Sequence, residues 1–254
     1  MRLLLTNDDG IHAEGLAALE RLASEFGEVT TVAPDRDRSA IGQAISLTRP
    51  LRLKRHAERR WALDGGTPTD CVYVGLHHVL AGELPDLVLS GINPGPNLGW
   101  DVLYSGTVAA AREAVLQGVP GIAFSMLGSS QGFPYEEAFE VIRQAIRLAI
   151  ECPPPEHTFL NVNLPNPRIG PIHGLEATCL GHRYYSKEVE VRRDPRGGEY
   201  LWIGGRDVFM PDIPGSDCNA VRAGWASVTA LGCDSTHSGH AAALATRLRP
   251  KDHP

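Results

Sequence analysis

The sequence has few of the features that mark secreted, membrane or nucleic-acid-binding proteins. Its 254 residues include only five cysteines, scattered and without a Cys-x-x-Cys pair, as is typical of reduced thiols. No apolar run is long enough to span a bilayer, and the N-terminal run is too short for a signal peptide. The net charge of −6 argues against a surface for nucleic acid or anionic lipid. We therefore expect a cytoplasmic protein that binds neither nucleic acid nor membrane.

Several signature motifs of enzymes are also missing. There is no Walker A loop, and no G-x-G-x-x-G opens a helix after the first predicted strand. Ser39 is not flanked as in the G-x-S-x-G elbow of serine hydrolases. Aspartyl-phosphate phosphatases need two aspartates spaced D-x-D, whereas Asp8 and Asp9 are adjacent. These classes therefore have little support.

Two weaker signals have simpler interpretations. The basic run between Arg49 and Arg60 is interpreted as the solvated face of short strands rather than a nucleic-acid patch. Cys179-x-x-His182 and His237-x-x-His240 have the spacing of metal ligands, but neither has a matching second pair, so a zinc site has little support.

The order of apolar runs predicts an α/β fold. Hydrophobic residues make up 43% of the chain and charged residues 21%, as in an ordinary globular protein. The length allows one large domain with a smaller attachment. Short runs that predict buried strands alternate with segments of helical periodicity, which favours repeated parallel βαβ units. We expect a Rossmann-like three-layer αβα core over residues 1–175. The predicted strands are Leu3–Leu5, Val29–Ala33, Leu87–Leu89, Ile122–Phe124 and Phe159–Asn163.

The segment 176–254 has a different character and is predicted to serve in oligomerisation. Alternating charged and apolar residues flank a turn at Asp194–Gly198, which predicts a β-hairpin arm over about 183–206. An alanine-rich helix is predicted over about 238–248. Because an isolated hairpin is marginally stable in water, we expect at least a dimer.

Polar clusters follow three of the predicted strands. They are Asn7–Gly10, Pro34–Ser39, and Ser90–Gly99 with Tyr104–Thr107. In an open parallel sheet, ligands bind beyond the carboxyl ends of the strands, near the switch in strand order. The three clusters are therefore expected to converge on one site.

Two of these clusters suit a cation and an anion. Held close together, Asp8 and Asp9 repel each other unless a cation neutralises them, although an Asx turn would also explain Asn7–Gly10. The run Ser105-Gly106-Thr107 precedes a predicted helix, whose unpaired N–H groups and dipole attract an anion. A helix cap without a ligand is the alternative.

The same clusters carry a family resemblance. The sequence resembles the SurE family of survival proteins with 5′-nucleotidase activity, in motifs that occur in family order and cover essentially the whole chain. Two departures are Ala40 and Ala114, where glycine is frequent in the family. The motifs are L-L-T-N-D-D-G at Leu4–Gly10, A-P-D-R-x-R-S at Ala33–Ser39, G-T-P-T-D-C at Gly66–Cys71, S-G-I-N-x-G-x-N-L-G at Ser90–Gly99 and Y-S-G-T-V at Tyr104–Val108.

The resemblance implies a set of site residues. Two carboxylates, a hydroxyl and an amide form a hard oxygen shell, which suits one Mg²⁺ or Mn²⁺ ion per subunit. Asp8 and Asp9 are also the expected catalytic residues. The implied metal ligands are Asp8, Asp9, Ser39 and Asn93, and the implied phosphate-binding residues are Asn97, Ser105, Gly106 and Thr107.

From these residues we expect a metal-dependent phosphomonoesterase that hydrolyses nucleoside 5′-monophosphates with a metal-activated water. Either aspartate could take the proton of that water. The resemblance also implies some action on 3′-monophosphates and polyphosphate, and a homodimer or tetramer formed through C-terminal exchange. The alternative is a non-catalytic regulator that binds a nucleotide or phosphate at the same site.

Overall fold

Short apolar runs form the strands of the computed structural model, which describes residues 1–130, 132–186, 188–204 and 208–248. Lys187 and residues 205–206 of the predicted arm, and residues 249–254 of the predicted C-terminal segment, lie outside the described residues. The strands in chain order are β1 (Arg2–Thr6), β2 (Glu28–Pro34), β3 (Arg52–Ala57), β4 (Arg60–Asp64), β5 (Leu87–Pro94), β6 (Gly121–Met126), β7 (Thr158–Leu164), β8 (Leu175–Thr178), β9 (Tyr184–Tyr185), β10 (Val189–Arg193), β11 (Glu199–Ile203), β12 (Val208–Phe209) and β13 (Ala226–Gly232).

Helices connect most of the strands of the main sheet. A π-helical turn, Gly75–Val79, continues the second helix, and a 3-10 helix, Gly99–Leu103, follows β5. None of the described helices is both long and apolar enough to cross a membrane. The α-helices are α1 (Glu14–Ala23), α2 (Pro68–Val74), α3 (Gly106–Leu116), α4 (Phe139–Glu151), α5 (Asp217–Arg222) and α6 (Ser238–Leu248).

The main sheet has nine strands in the order β3-β4-β2-β1-β5-β6-β7-β13-β8. The six neighbouring strands β4-β2-β1-β5-β6-β7 pair in parallel. β3 runs antiparallel to β4, and β13 runs antiparallel to β7. Since successive strand residues point to opposite faces, Leu3 and Leu5 pack with α1 and α4, while Leu4 packs with α2 and α3. The predicted α/β class with a mostly parallel sheet is confirmed.

The chain reverses its direction across the sheet next to β1. From β1 it moves to β2 and β4 on one side, and it then returns to β5 on the other side. The carboxyl ends of β1 and β5 therefore flank the switch point, where ligands bind in sheets of this kind. Asp8 and Asp9 follow β1, and Asn93 is the second-last residue of β5.

The sheet extends beyond the strands predicted from the sequence. β13 pairs with β7 and β8 pairs with β13, so the sheet takes strands from both sides of residue 175. The basic run from Arg49 to Arg60 falls mainly on β3 and β4, as expected of short strands with a solvated face. β5 runs through Pro94 into the predicted loop, with an irregular register between Ser90 and Asn93.

A hairpin projects from the C-terminal part of the chain. β10 and β11 pair antiparallel, with Val189 opposite Ile203 and Arg193 opposite Glu199, and every residue of both strands is exposed. The terminal helix α6 has the predicted bounds and buries none of its residues. Among the described residues, none of the side chains of β10, β11 or α6 belongs to the hydrophobic core clusters.

Candidate active site

Asp8 is held against the first turn of α3. Its carboxylate Oδ1 accepts a hydrogen bond from Thr107 Oγ1 at 2.6 Å, and the Thr107 backbone N–H also bonds to Asp8. Asp8 is 4% exposed. Burial raises the pKa of Asp8, and the hydrogen bonds from Thr107 oppose that rise.

Asp9 has no comparable protein partner. Its Oδ2 is buried without a hydrogen bond. Burial, reinforced by the negative charges of Asp8 and Asp37, raises the pKa of Asp9 to about 7. A buried carboxylate oxygen without a partner is costly, and a bound cation would remove that cost.

The loop after β2 brings Ser39 to the same site. Asp37 Oδ1 accepts hydrogen bonds from the Ser39 backbone N–H and hydroxyl, and the Arg38 backbone N–H donates to the Asp8 carbonyl at 2.7 Å. Ala40 follows with a φ of 57°, in the left-handed region where a side chain costs about 1 kcal/mol or more. Alanine in place of glycine at residue 40 therefore carries backbone strain.

Buried amides position Asn97. Its backbone N–H donates to Asn163 Oδ1 at 2.8 Å, its carbonyl accepts from the Asn161 and Asn163 side chains, and its own amide donates to Ser125 Oγ at 2.7 Å. Asn93, at the end of β5, donates from its amide to the Gly95 carbonyl. These bonds fix the loop that follows β5 against β7.

Besides Asn97, three residues were assigned to the anion, and they are placed differently from one another. Ser105 caps α3 by accepting from the Val108 N–H at 3.1 Å, and its side chain borders the cavity. A Cβ on Gly106 would lie 2.8 Å from the Asp8 Cβ, so this glycine allows the helix to approach Asp8. Thr107 is fully buried and its hydroxyl contacts Asp8.

All four expected metal ligands border one cavity of about 1070 Å³. Asn97 and Ser105 border it as well. One part of its lining, called here the apolar wall, consists of aromatic and apolar side chains and includes residues of the hairpin arm. That wall contains Trp100, Leu103, Tyr104, Tyr185, Val189 and Ile203.

Several buried polar residues near the site escaped the sequence interpretation. Asp217 is fully buried and accepts hydrogen bonds from the Gly99 and Gly181 N–H groups. Asn161 and Asn163 lie in β7, whose other residues after Thr158 are apolar. Polar residues two apart in an apolar strand share one face, and this signal could have indicated a buried network.

The oxygen donors at the site fit a hard divalent cation. Asp8, Asp9, Ser39 and Asn93 offer carboxylate, hydroxyl and amide oxygens, and Asp9 Oδ2 lacks any other partner. Among the residues that the structure describes, no three His, Cys, Asp or Glu side chains are grouped to hold a metal. The fit thus depends on Ser39 and Asn93 as well as on the two carboxylates.

Fold and site together define a three-layer α/β protein with an acidic, oxygen-rich centre beside a helix N-terminus at its switch point. The family model described as survival protein SurE matches residues 3–187. The chain belongs to the SurE family.

Relatives agree over nearly the full length. A protein of Anaeromyxobacter sp. (strain Fw109-5) named 5′-nucleotidase SurE is 53% identical over 93% of this chain and 92% of its own. One of Geobacter sulfurreducens with the same name is 46% identical over 93% of this chain and 90% of its own. The crystal structure of the SurE protein from Aquifex aeolicus has a TM-score of 0.85 at 37% identity, covering 97% of this chain and 99% of that one.

The contact between Thr107 and Asp8 generates the first prediction. Thr107→Ala removes the hydroxyl that orients Asp8, so we expect Mn²⁺ affinity to fall about 10-fold or more, as is usual when a group supporting a metal ligand is lost. Thr107→Ser keeps the hydroxyl and should retain most of the affinity. Calorimetric titration of both variants with Mn²⁺ tests this, and equal affinity in Thr107→Ala and wild type would contradict it.

Proposed function

We propose that this chain is a metal-dependent phosphomonoesterase that hydrolyses nucleoside 5′-monophosphates. The observation that carries the proposal is the pair Asp8 and Asp9 at the switch point: Asp8 is buried, and Asp9, partly buried, has one buried oxygen that lacks a protein partner. The name 5′-nucleotidase SurE borne by close relatives supports the same substrate class. A mere phosphate binder would gain nothing from two carboxylates beside its anion, which disfavours a non-catalytic regulator.

In this proposal Asp8, Asp9, Ser39 and Asn93 hold one Mg²⁺ or Mn²⁺ ion. The bound ion would stabilise negative charge on the phosphoryl oxygens. It would also lower the pKa of a water molecule bound to it, so that this water can react at neutral pH. Asp8 is oriented by Thr107, whereas Asp9 keeps an oxygen without a protein partner. Either aspartate could take the proton of the attacking water.

Asn97, Ser105 and the backbone N–H of Gly106, the first residue of α3, are proposed to bind the phosphate, since the next two N–H groups of the helix bond to Asp8 and Ser105. The positive end of the helix dipole favours an anion at this point. Thr107 belongs to the proposed phosphate set through its place in this turn, but its hydroxyl serves Asp8. Nucleoside 3′-monophosphates and polyphosphate present the same phosphoryl group and are included as secondary substrates on the family resemblance.

Metal dependence is the direct test of this function. Protein stripped with a chelator should hydrolyse no nucleoside 5′-monophosphate, and Mn²⁺ or Mg²⁺ should restore turnover, because the proposed reaction needs a water activated by the cation. Phosphate release from a panel of 5′- and 3′-monophosphates, with and without added metal, measures it. Full activity in excess chelator would refute metal dependence, and no activity with any metal would favour the regulator.

Asp9→Asn separates the metal site from general effects of charge. Removing a buried charge should raise the melting temperature of the metal-free protein, while the further rise that Mn²⁺ gives the wild type should be lost. Glu151→Gln, an exposed change on α4, serves as the control and should leave both quantities unchanged. A Mn²⁺-induced rise of wild-type size in Asp9→Asn would argue against this ligand.

The apolar wall of the cavity is proposed to receive the nucleoside. Trp100 is 48% exposed, borders the cavity and contacts the tilted ring of His182, with 4.4 Å between the ring centroids. Trp100 lies in the 3-10 helix that leads to the Ser105 cap, so a phosphate at α3 would place its nucleoside near this wall. An aromatic face of this kind can stack on a base without selecting its identity.

Substrates with and without a base test the role of Trp100. Stacking on a base is worth about 1–3 kcal/mol, so Trp100→Ala should raise KM for a nucleoside 5′-monophosphate about fivefold or more. KM for ribose 5-phosphate, which has no base, should not change, and Trp100→Phe should behave nearly as wild type. An equal rise in KM for both substrates would contradict stacking.

The hairpin arm and α6 are proposed to be covered by a second copy of the chain, forming a homodimer or a tetramer. Pairing of Val189 with Ile203 and of Val191 with Leu201 places four apolar side chains on one face of the hairpin. Ile203 is 92% exposed, and an isolated two-stranded hairpin gains little from its own contacts. A partner subunit would bury that face.

Light scattering tests the assembly. Wild-type protein should be at least dimeric at micromolar concentration, and the double variant Val191→Asp, Leu201→Asp should shift it toward monomer by placing charges in the contact. Glu190→Gln, on the opposite face of the same strand, is the matched control. A wild type that is monomeric at this concentration would disprove the proposal.

A further inference from the structure

Asp37 is an additional carboxylate at the site, beside the residues proposed to hold the metal and the phosphate. Its Oδ1 accepts the Ser39 backbone N–H at 2.7 Å and the Ser39 hydroxyl at 2.6 Å. The second distance is that of a charge-assisted hydrogen bond between a hydroxyl and a carboxylate. Asp37 also borders the cavity together with Ser39.

The hydrogen bond determines which electrons of Ser39 face the cavity. A serine hydroxyl has one proton to donate and two lone pairs to offer. Because the proton is given to Asp37, it cannot point at a cation, and the lone pairs of Oγ remain for coordination. The bond to the backbone N–H at the same time fixes the residue that carries the hydroxyl.

The loop is tied to the neighbouring strand end as well. The Arg38 N–H donates to the Asp8 carbonyl at 2.7 Å, so Asp37 and Ser39 cannot move independently of the residues that follow β1. Within the described ranges no three acidic side chains are grouped closely enough to hold a metal. Asp37 is therefore placed to act through Ser39 and not as a further ligand.

We propose that Asp37 is a positioning residue. It accepts a hydrogen bond from the Ser39 hydroxyl and thereby leaves the lone pairs of the Ser39 oxygen free to coordinate the divalent cation. This inference rests on the proposed function, because it presupposes a cation held by Asp8, Asp9, Ser39 and Asn93. It assigns Asp37 to metal affinity and not to contact with substrate. Loss of a group that supports a metal ligand typically weakens affinity about 10- to 100-fold.

Two substitutions of Asp37 separate its hydrogen bond from its charge. Asp37→Ala removes the acceptor, and Mn²⁺ affinity should fall about 10- to 100-fold. Asp37→Asn loses the charge but keeps an oxygen that can accept both hydrogen bonds, and its affinity should stay within about threefold of wild type. Calorimetric titration of the metal-stripped proteins with Mn²⁺ measures both without substrate, and Glu58→Gln controls for a distant change of charge.

A double-mutant cycle with Ser39 shows whether Asp37 acts through it. In a Ser39→Ala background, Asp37→Ala should cost no more than about twofold in Mn²⁺ affinity, since residues that act through one contact are not additive. An undiminished loss in that background, or a loss in Asp37→Asn as large as in Asp37→Ala, would overturn the positioning role. At saturating Mn²⁺ the activity of Asp37→Ala should largely recover.

Failure of this inference and failure of the proposed function give different results. If wild-type protein binds no Mn²⁺ in the titration, the metal site itself is wrong. If the wild type binds Mn²⁺ and Asp37→Ala binds it equally well, only the role of Asp37 is wrong.

Discussion

The contact between the Asp8 carboxylate and the first turn of α3 is the constraint on which the rest of the site depends. It joins the carboxyl end of β1 to the helix that follows β5, and thus closes the crevice from both sides of the switch point. The contact is possible because Gly106 has no Cβ to separate the helix from Asp8. A helix N-terminus that would attract any anion here holds a carboxylate of the protein itself.

With Asp8 held in this way, its neighbour has no equivalent partner. Adjacent residues of an extended strand point in opposite directions, so Asp9 enters the same cavity only because the chain turns directly after β1. The turn is stabilised by the Asn7 side chain, which bonds both to the carbonyl and to the N–H of Gly10. The Asn7 side chain therefore stabilises the turn by bonding to Gly10, three residues on rather than two as in an Asx turn, and the turn brings the second carboxylate into the cavity.

The alternation of apolar runs was sufficient to predict the sheet, because a strand buried on both faces has a simple composition. It was not sufficient for β13, whose residues 230 to 232 are partly exposed and which follows the exposed hairpin and the short helix α5. The site residues were predicted as a group because they follow strand ends. The hydroxyl of Thr107 could not be assigned to Asp8 rather than to phosphate, since the direction of one side chain depends on a helix contacting a strand 99 residues away.

One buried carboxylate joins two parts of the molecule that are distant in sequence. Asp217 accepts the N–H of Gly99, in the loop that leads to α3, and the N–H of Gly181, where the chain leaves for the hairpin arm. A displacement of the arm that moves Gly181 must therefore shift Gly99 or break a buried bond. If the proposed assembly and ligand site are both correct, subunit association and ligand binding would be linked equilibria, and each would change the affinity for the other by the same factor.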